Sequence, residues 1–209
     1  METEIDLPKT ALLIIDMQKA FVKDEKGVFS DVSKLVESNR VIEKIAKVLK
    51  AAREAEIPII HLRIVREKDG SDIVETVSDL ILEGLALPAK QLLEGVFEGA
   101  PGAEFVEELK PASGEHVIVK RKSSGFYNTG LESLLLDRGI DTLIITGIVT
   151  MGCVENTVRS ARDRDFHVIV LRDCCADRSK EEHEYPLKNT FRRMGRVRTS
   201  DEIVAALAR

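Results

Sequence analysis

The sequence is poor in cysteine, and its cysteines do not have the spacing of a metal or redox site. The 209 residues include three cysteines and no tryptophan, and no Cys-x-x-Cys pair occurs. An odd number without such spacing argues against a disulfide framework and a zinc finger, and is typical of free thiols in a cytosolic protein. We expect Cys174 and Cys175 to be buried, small apolar side chains. Cys153 differs from them because a tight turn bounded by glycines precedes it.

Long apolar runs, a basic N-terminal segment and concentrated positive charge are also missing. The apolar runs have the length of strands, far below the ~18 residues of a membrane span. The chain begins with acidic rather than basic side chains, unlike a signal peptide. Its net charge is −5, with 31 basic and 36 acidic residues mixed along the sequence, and the short basic patches at 120–122 and 192–198 fit a solvated surface. We therefore predict a cytoplasmic protein with no membrane or nucleic-acid partner.

The residues that are present indicate one soluble α/β domain over residues 1–209. Apolar residues make up 44% and charged residues 32%, an ordinary balance for a globular protein. Apolar runs predict strands at 10–15, 59–65, 117–119, 142–146, 166–171 and near 197. Amphipathic segments predict helices at 32–55, 129–136, 153–164, 181–193 and from 200 onward. The alternation favours a three-layer, doubly wound, mainly parallel sheet of about six strands with helices on both faces. Residues 67–112 are irregular, which is typical of a segment that covers a site.

The carboxyl ends of the predicted strands carry the candidate catalytic residues. Ligands of parallel sheets bind beyond those ends, where the sequence places Asp16, Lys120 and Cys153. Cys153 also begins a predicted helix, whose free N–H groups and positive dipole end lower a thiol pKa. A neighbouring lysine has the same effect, and a carboxylate is able to accept the thiol proton. Each residue alone also fits a simpler role: Asp16 as a turn cap, Lys120 as a surface lysine and Cys153 as an inert thiol.

Two nucleotide-binding patterns are incomplete in this chain. Gly147 and Gly152 have the spacing of a phosphate-binding loop, but Cys153 and Val154 stand where Lys and then Ser or Thr are required. No G-x-G-x-x-G follows a predicted strand, which disfavours a dinucleotide fold. We therefore expect no cofactor.

Three segments in order resemble the isochorismatase-like cysteine hydrolases. Residues 11–18, followed by Phe21, are similar to the family segment that carries an aspartate. Residues 120–126 are similar to the family segment that carries a lysine. Residues 147–154 resemble the nucleophile turn. The group includes nicotinamidases, N-carbamoylsarcosine amidases, ureidoacrylate amidohydrolases and isochorismatases. The resemblance covers residues 8–198.

The resemblance implies how the catalytic residues act. Asp16 is expected to accept a proton, Lys120 to supply a positive charge and Cys153 to be the nucleophile. The peptide bond between Ile148 and Val149 is expected to be cis, so that the Val149 N–H points to the substrate oxygen beside the Cys153 N–H.

The resemblance also implies contacts with the substrate and with other subunits. Phe21, Phe126 and Arg178 are expected to bind the substrate, with Arg178 holding a carboxylate. A small molecule is therefore the expected partner. The family commonly forms oligomers, which predicts a homodimer or homotetramer.

Departures from the family pattern narrow the expected chemistry. Metal-binding nicotinamidases carry an Asp-x-His pair and a further His after the second strand, whereas this chain has His61 alone there. We therefore expect no metal and a structural role for His61. Isochorismatases cleave a vinyl ether and typically lack the nucleophilic cysteine, which is present here. The sequence favours a metal-independent amidohydrolase that cleaves a linear amide or ureido C–N bond through a thioester and releases ammonia.

Other functions stay open at this point. An isochorismatase-type or nicotinamidase-type hydrolase is the alternative among enzymes. A thiol-based sensor or binding module on the same fold is the alternative from another class of protein.

Overall fold

The central feature is a parallel sheet of six strands in the spatial order β3-β2-β1-β4-β5-β6. The structure is a computed structural model that describes residues 4–84 and 86–208. The strands are Thr10–Ile15 (β1), Ile59–Ile64 (β2), His116–Lys120 (β3), Thr142–Ile148 (β4), His167–Ala176 (β5) and Arg196–Arg198 (β6). The predicted doubly wound α/β class with about six strands is confirmed.

Helices connect the strands and cover both faces of the sheet. The α-helices in the described residues are Lys19–Val22 (α1), Ser30–Ser38 (α2), Val41–Glu54 (α3), Asp79–Leu82 (α4), Ala89–Leu93 (α5), Leu131–Asp137 (α6), Glu155–Arg162 (α7), Lys180–Pro186 (α8), Arg192–Met194 (α9) and Ser200–Leu207 (α10). Wider π-type turns occupy Thr150–Val154 and Leu187–Phe191. None of the described helices is long and apolar enough to cross a membrane.

The two faces of β1 contribute to two separate apolar cores. Leu12 and Ile14 pack with residues of α2, α3 and α10, whereas Leu13 and Ile15 pack with residues of α6 and α7. Every residue of β1 and β4 is buried. This explains why their sequences are continuous apolar runs rather than alternating ones.

The structure differs from several predicted elements, and the helix expected over 181–193 is α8, a π-type turn and α9. The single helix expected over 32–55 is two helices, α2 and α3, separated at Arg40, which has a left-handed backbone with φ 54°. β5 extends to Ala176, so the expected burial of Cys174 and Cys175 occurs within a strand. The last helix begins at Ser200, as predicted, and Thr199 caps it because its hydroxyl accepts the N–H of Glu202.

The segment 67–112 is irregular, as predicted, and a buried glutamine ties it to the sheet. Its described part contains α4, α5 and the 3₁₀ turns Glu94–Val96, Pro101–Ala103 and Glu107–Leu109. The Gln18 amide donates to the carbonyl oxygens of Ile64 at 2.9 Å and Ala103 at 3.0 Å. Its Oε1 accepts the Ile64 N–H at 2.9 Å. Because Gln18 lies two residues after Asp16, the segment is anchored beside the first candidate catalytic residue.

Candidate active site

Three strand ends bring a carboxylate, an ammonium group and a thiol together. Asp16 follows β1, Lys120 ends β3, and Cys153 lies in the turn after β4. Lys120 Nζ lies 2.8 Å from Asp16 Oδ2 and 3.4 Å from Cys153 Sγ. It also donates to the carbonyl oxygen of Lys122 at 3.1 Å. The three residues selected from the sequence therefore form one cluster at the carboxyl edge of the sheet.

The Asp16–Lys120 pair is buried. Asp16 and Lys120 are 1% and 0% exposed. Asp16 is therefore not a solvated turn cap, and Lys120 is not a surface lysine. Burial by itself lowers the pKa of the Lys120 ammonium, but the charges of Asp16 and Cys153 outweigh it and the pKa is raised on balance. Lys120 therefore stays charged in the folded protein.

The Cys153 thiol is harder to ionise than the sequence suggested. Burial and the negative charge of Asp16 raise its pKa to about 12, and Lys120 lowers it only in part. The expectation of a lowered thiol pKa is therefore wrong for the free protein. At neutral pH the site holds a protonated thiol next to a carboxylate, so the proton has to leave the sulfur as the sulfur reacts.

The turn that carries Cys153 has an unusual backbone. The peptide bond between Ile148 and Val149 is cis, as the family resemblance implied. The expected helix start at Cys153 is instead a π-type turn over Thr150–Val154, and α7 begins at Glu155. The N–H groups of Gly152 and Val154 both donate to the Val149 carbonyl oxygen, at 3.1 and 3.2 Å.

Gly147 allows β1 and β4 to approach closely below this turn. Its φ is 119°, a conformation that other residues rarely adopt. A Cβ atom built there would lie 2.1 Å from the carbonyl oxygen of Ile15. Glycine at this position thus fixes the distance between the strand end that carries Asp16 and the one that leads to Cys153.

Several polar side chains hold the nucleophile turn, and no sequence motif assigned three of them, Thr157, Asp177 and His183, a role. Thr157 donates to the Cys153 carbonyl oxygen at 2.7 Å and accepts the Gly125 N–H at 3.0 Å. Asp177 accepts the Met151 N–H at 2.6 Å. His183 Nδ1 lies 2.8 Å from Thr150 Oγ1. The spacing of four between Cys153 and Thr157 on a predicted helix was the one available signal, because it places both residues on the same helix face.

Of the residues expected to contact substrate, Phe21 and Arg178 both contact Phe29, whereas Phe126 lies apart from them in the other core. Phe21 is largely buried and lines a cavity of about 770 Å³ between α1 and the irregular segment. Phe29 lines it too and meets Phe21 edge to face, at 4.7 Å between ring centroids. The guanidinium of Arg178 is exposed, lies 4.9 Å from the Phe29 ring centroid and donates to the Val28 carbonyl oxygen at 3.1 Å.

Phe126 has a packing role on the other face of the sheet. It is 4% exposed and belongs to the core that includes Leu13 and Ile15, whereas Phe21 belongs to the opposite core. Its ring lies 5.7 Å from that of Phe166 and 5.2 Å from the Arg164 guanidinium carbon. These contacts explain its burial.

His61 takes part in a buried polar contact. Its Nε2 donates to Glu115 Oε2 at 2.9 Å, and its ring packs against Phe105. Within residues 4–84 and 86–208, no group of three or more His, Cys, Asp or Glu side chains is arranged to hold a metal ion.

A buried carboxylate–ammonium pair beside a thiol, at the carboxyl edge of a parallel sheet, defines the protein as an α/β cysteine hydrolase. Comparison with known families agrees, because residues 10–202 match the isochorismatase domain. The chain belongs to the isochorismatase family.

Individual relatives include proteins with named activities. The ureidoacrylate amidohydrolase RutB of Methylorubrum extorquens is 34% identical over 175 residues, which cover 80% of this chain and 70% of that protein. The maleamate amidohydrolase of Pseudomonas putida is 28% identical, with 95% of this chain and 87% of that protein covered. A crystal structure of a cysteine hydrolase from Pseudomonas syringae pv. phaseolicola has a TM-score of 0.81 at 28% identity, covering 99% of this chain and 96% of that one. The similarity thus extends over nearly the whole fold.

Proposed function

We propose that this protein is a metal-independent cysteine amidohydrolase that cleaves a linear amide or ureido C–N bond of a small, carboxylate-bearing substrate and releases ammonia. The observation that carries the proposal is the position of Lys120 Nζ, 2.8 Å from Asp16 Oδ2 and 3.4 Å from Cys153 Sγ. Relatives named as amidohydrolases support the bond type.

Asp16 is the proton acceptor for Cys153 in this mechanism. As the sulfur attacks the carbonyl carbon, the thiol proton moves to Asp16, so a thiol with a raised pKa needs no free thiolate beforehand. Asp16 then gives the proton to the leaving nitrogen, the C–N bond breaks, and ammonia departs from a thioester on Cys153. Water, deprotonated by Asp16, attacks the thioester carbonyl; the C–S bond breaks and the proton on Asp16 returns to the Cys153 sulfur. An amide yields a carboxylic acid, and a ureido group yields a carbamic acid.

Lys120 and the nucleophile turn supply electrostatic stabilisation. The ammonium group fixes Asp16 against the thiol and balances its charge while the proton moves. The N–H groups of Val149 and Cys153 bind the oxyanion of the tetrahedral intermediate, and removal of one such donor in other enzymes costs about 10²–10³-fold in rate.

In the proposed function, Arg178 and Phe21 bind the substrate. The exposed Arg178 guanidinium lies just beyond the end of β5, and a planar guanidinium binds a carboxylate through two hydrogen bonds. The cavity lined by Phe21 is assigned to the non-reacting part of the substrate, because Asp16, Lys120 and Cys153 are not in its wall. The cytoplasmic location and the homodimer or homotetramer stay predictions.

An ammonia-release screen over small primary amides and ureido acids tests the function. We expect turnover of at least one acidic substrate, none in Cys153→Ala, and a mass increase on Cys153 when the reaction is quenched early. Cys174→Ala is the matched control and should keep its activity, because that thiol is buried in β5.

Further outcomes of the screen separate the alternatives. Activity lost after dialysis against a chelator and restored by zinc would favour a nicotinamidase-type enzyme. Cleavage of a vinyl ether that persists in Cys153→Ala would favour isochorismatase-type chemistry. No turnover, with oxidation-dependent assembly, would favour a thiol sensor.

A further inference from the structure

A second cavity, of about 1010 Å³, lies beside the outer strands of the sheet. It is lined by residues of α3, β5, α8, α9 and β6, and none of Asp16, Lys120 and Cys153 is among them. The basic patch at 192–198, which the sequence suggested to be a solvated surface, contributes Arg192 and Arg196 to its wall. The cavity therefore excludes the three proposed catalytic residues, although Asp177 and His183, which hold the nucleophile turn, lie in its wall.

The wall of this cavity is strongly positive in a protein of negative net charge. Seven Lys or Arg side chains line it against three carboxylates, while the whole chain has a net charge of −5. The positive residues come from different elements: Lys44 from α3, Arg172 from β5, Arg192 from α9 and Arg196 from β6. Protection of an edge strand by charge explains arginines on β6, but it does not explain those from the other elements.

The three carboxylates of the wall already have partners. Asp173 accepts both the N–H and the hydroxyl of Ser200, at 2.8 and 2.7 Å. Asp177 accepts backbone N–H groups, as described above, and Glu184 pairs with Lys188 and Lys180. The carboxylates therefore do little to neutralise the remaining cations.

Several cations of the wall lack such partners. Within the described ranges 4–84 and 86–208, the side chains of Lys44, Arg172 and Arg192 make no hydrogen bond or close ion pair, and Lys44 and Arg172 interact only at longer range with Asp201 and Glu202. Partial burial and the nearby charge of Arg198 lower the pKa of Arg196, so these like charges repel each other in the free protein. A bound anion would offset that repulsion.

We propose that this cavity binds a small molecule carrying two or more phosphate groups. Guanidinium groups bind phosphate oxygens through paired hydrogen bonds, and several of them converge on one concave volume. The volume is close to the ~300–1,000 Å³ typical of small-molecule sites. Cations gathered in a cavity suit a compact anion, whereas a nucleic-acid strand is typically bound along an extended positive surface.

Titration calorimetry with inorganic pyrophosphate tests the proposal. The Arg172→Gln/Arg192→Gln variant removes two unpaired cations from the wall. The Arg138→Gln/Arg193→Gln variant is the matched control, because it removes the same charge, both residues are exposed, and neither lines the cavity. Arg193 is also the next residue after Arg192 on α9.

We expect one pyrophosphate per chain, with binding about tenfold or more weaker in the first variant and unchanged in the control. Equal weakening in both variants would overturn the proposal, because it would indicate only a general charge effect. No binding to the unmodified protein at low salt, or tighter binding of a ten-base oligothymidylate than of pyrophosphate, would also overturn it. If the double variant does not fold, Lys44→Gln compared with Lys50→Gln on the same helix gives the same test, since Lys50 does not line the cavity.

Discussion

Lys120 Nζ lies 2.8 Å from Asp16 Oδ2, and the two side chains are 0% and 2% exposed. The pair joins the end of β3 to the end of β1, although β2 lies between those strands in the sheet. The attraction between the two charges offsets the cost of removing both from water. Asp16 has a left-handed backbone conformation here, with φ 53°.

The Asp16→Asn substitution should make Cys153 easier to ionise and yet abolish most of the turnover. The charge of Asp16 contributes to the thiol pKa of about 12, so a neutral amide lowers that pKa. More thiolate is then present at any fixed pH below it, and iodoacetamide should alkylate Cys153 faster. Loss of the proton acceptor should slow turnover by roughly 10²–10⁴-fold. The measurements are the rate of Cys153 alkylation as a function of pH, with the modified residue identified by mass spectrometry, and the turnover of the same preparation. Slower alkylation of the variant would contradict the assigned geometry.

The Gly147→Ala substitution should destabilise the protein by several kcal/mol. The new Cβ meets backbone atoms of Ile15, including the carbonyl oxygen at 2.1 Å, and a φ of 119° is unfavourable for alanine. Gly139→Ala is the control, because Gly139 has a φ of 66° but no atom near its Cβ position; its cost should be only about 1–2 kcal/mol. Urea unfolding measures the loss of stability in both variants. Equal losses would show that the close approach of β1 and β4 at Gly147 does not cause the destabilisation.

Much of this arrangement could be predicted from local sequence, and the remainder could not for identifiable physical reasons. β1 and β4 are apolar runs buried on both faces, so their sequences alone indicate a parallel sheet and place Asp16 and the nucleophile turn at its edge. The thiol pKa was predicted with the wrong sign because it depends on burial and on the approach of Asp16. Neither of these is encoded near Cys153 in the sequence.

The break between α2 and α3 was missed for a related reason. The apolar periodicity continues through Asn39 and Arg40, and only the left-handed backbone of Arg40 separates the two helices. The supporting contact from Asp177 to the Met151 N–H joins segments 26 positions apart, and no local pattern indicates it.

Acid should remove a stabilising contribution of Glu115. Burial alone raises the pKa of this carboxyl group, but hydrogen bonds from Arg53, the Ala112 N–H and His61 lower it to about 2. Its folded pKa is below the ordinary value of 4.5, so the stabilisation is complete above that value and disappears as pH falls towards about 2. Glu115→Gln should therefore be less stable than the unmodified protein at pH 7, by at most ~3 kcal/mol. Urea unfolding at a series of pH values should show the difference shrinking with acid; a difference independent of pH would reject the assignment.

Arg178→Lys should impair hydrolysis of acidic substrates and have little effect on neutral ones. Lysine keeps the positive charge but loses the paired hydrogen bonds to a carboxylate. A charged hydrogen bond contributes ~1.5–3 kcal/mol, which corresponds to roughly a 10- to 150-fold loss in kcat/KM. The measurement compares an acid with its neutral isostere in both proteins. Equal rates for the two substrates in the unmodified enzyme would leave Arg178 only its contacts with Val28 and Phe29.

Thr157→Val should reduce kcat with a smaller change in KM, because Thr157 positions the nucleophile without touching the reacting atoms. Its hydroxyl links the Cys153 carbonyl oxygen on one side to the Gly125 N–H on the other, and so ties the nucleophile turn to the segment after Lys120. Valine has nearly the same shape but leaves the buried Gly125 N–H without a partner, which should also cost about 1–3 kcal/mol of stability. Thr157→Ser keeps the hydroxyl and should restore most of kcat. If serine and valine give the same kcat, the hydroxyl bridge does not position Cys153.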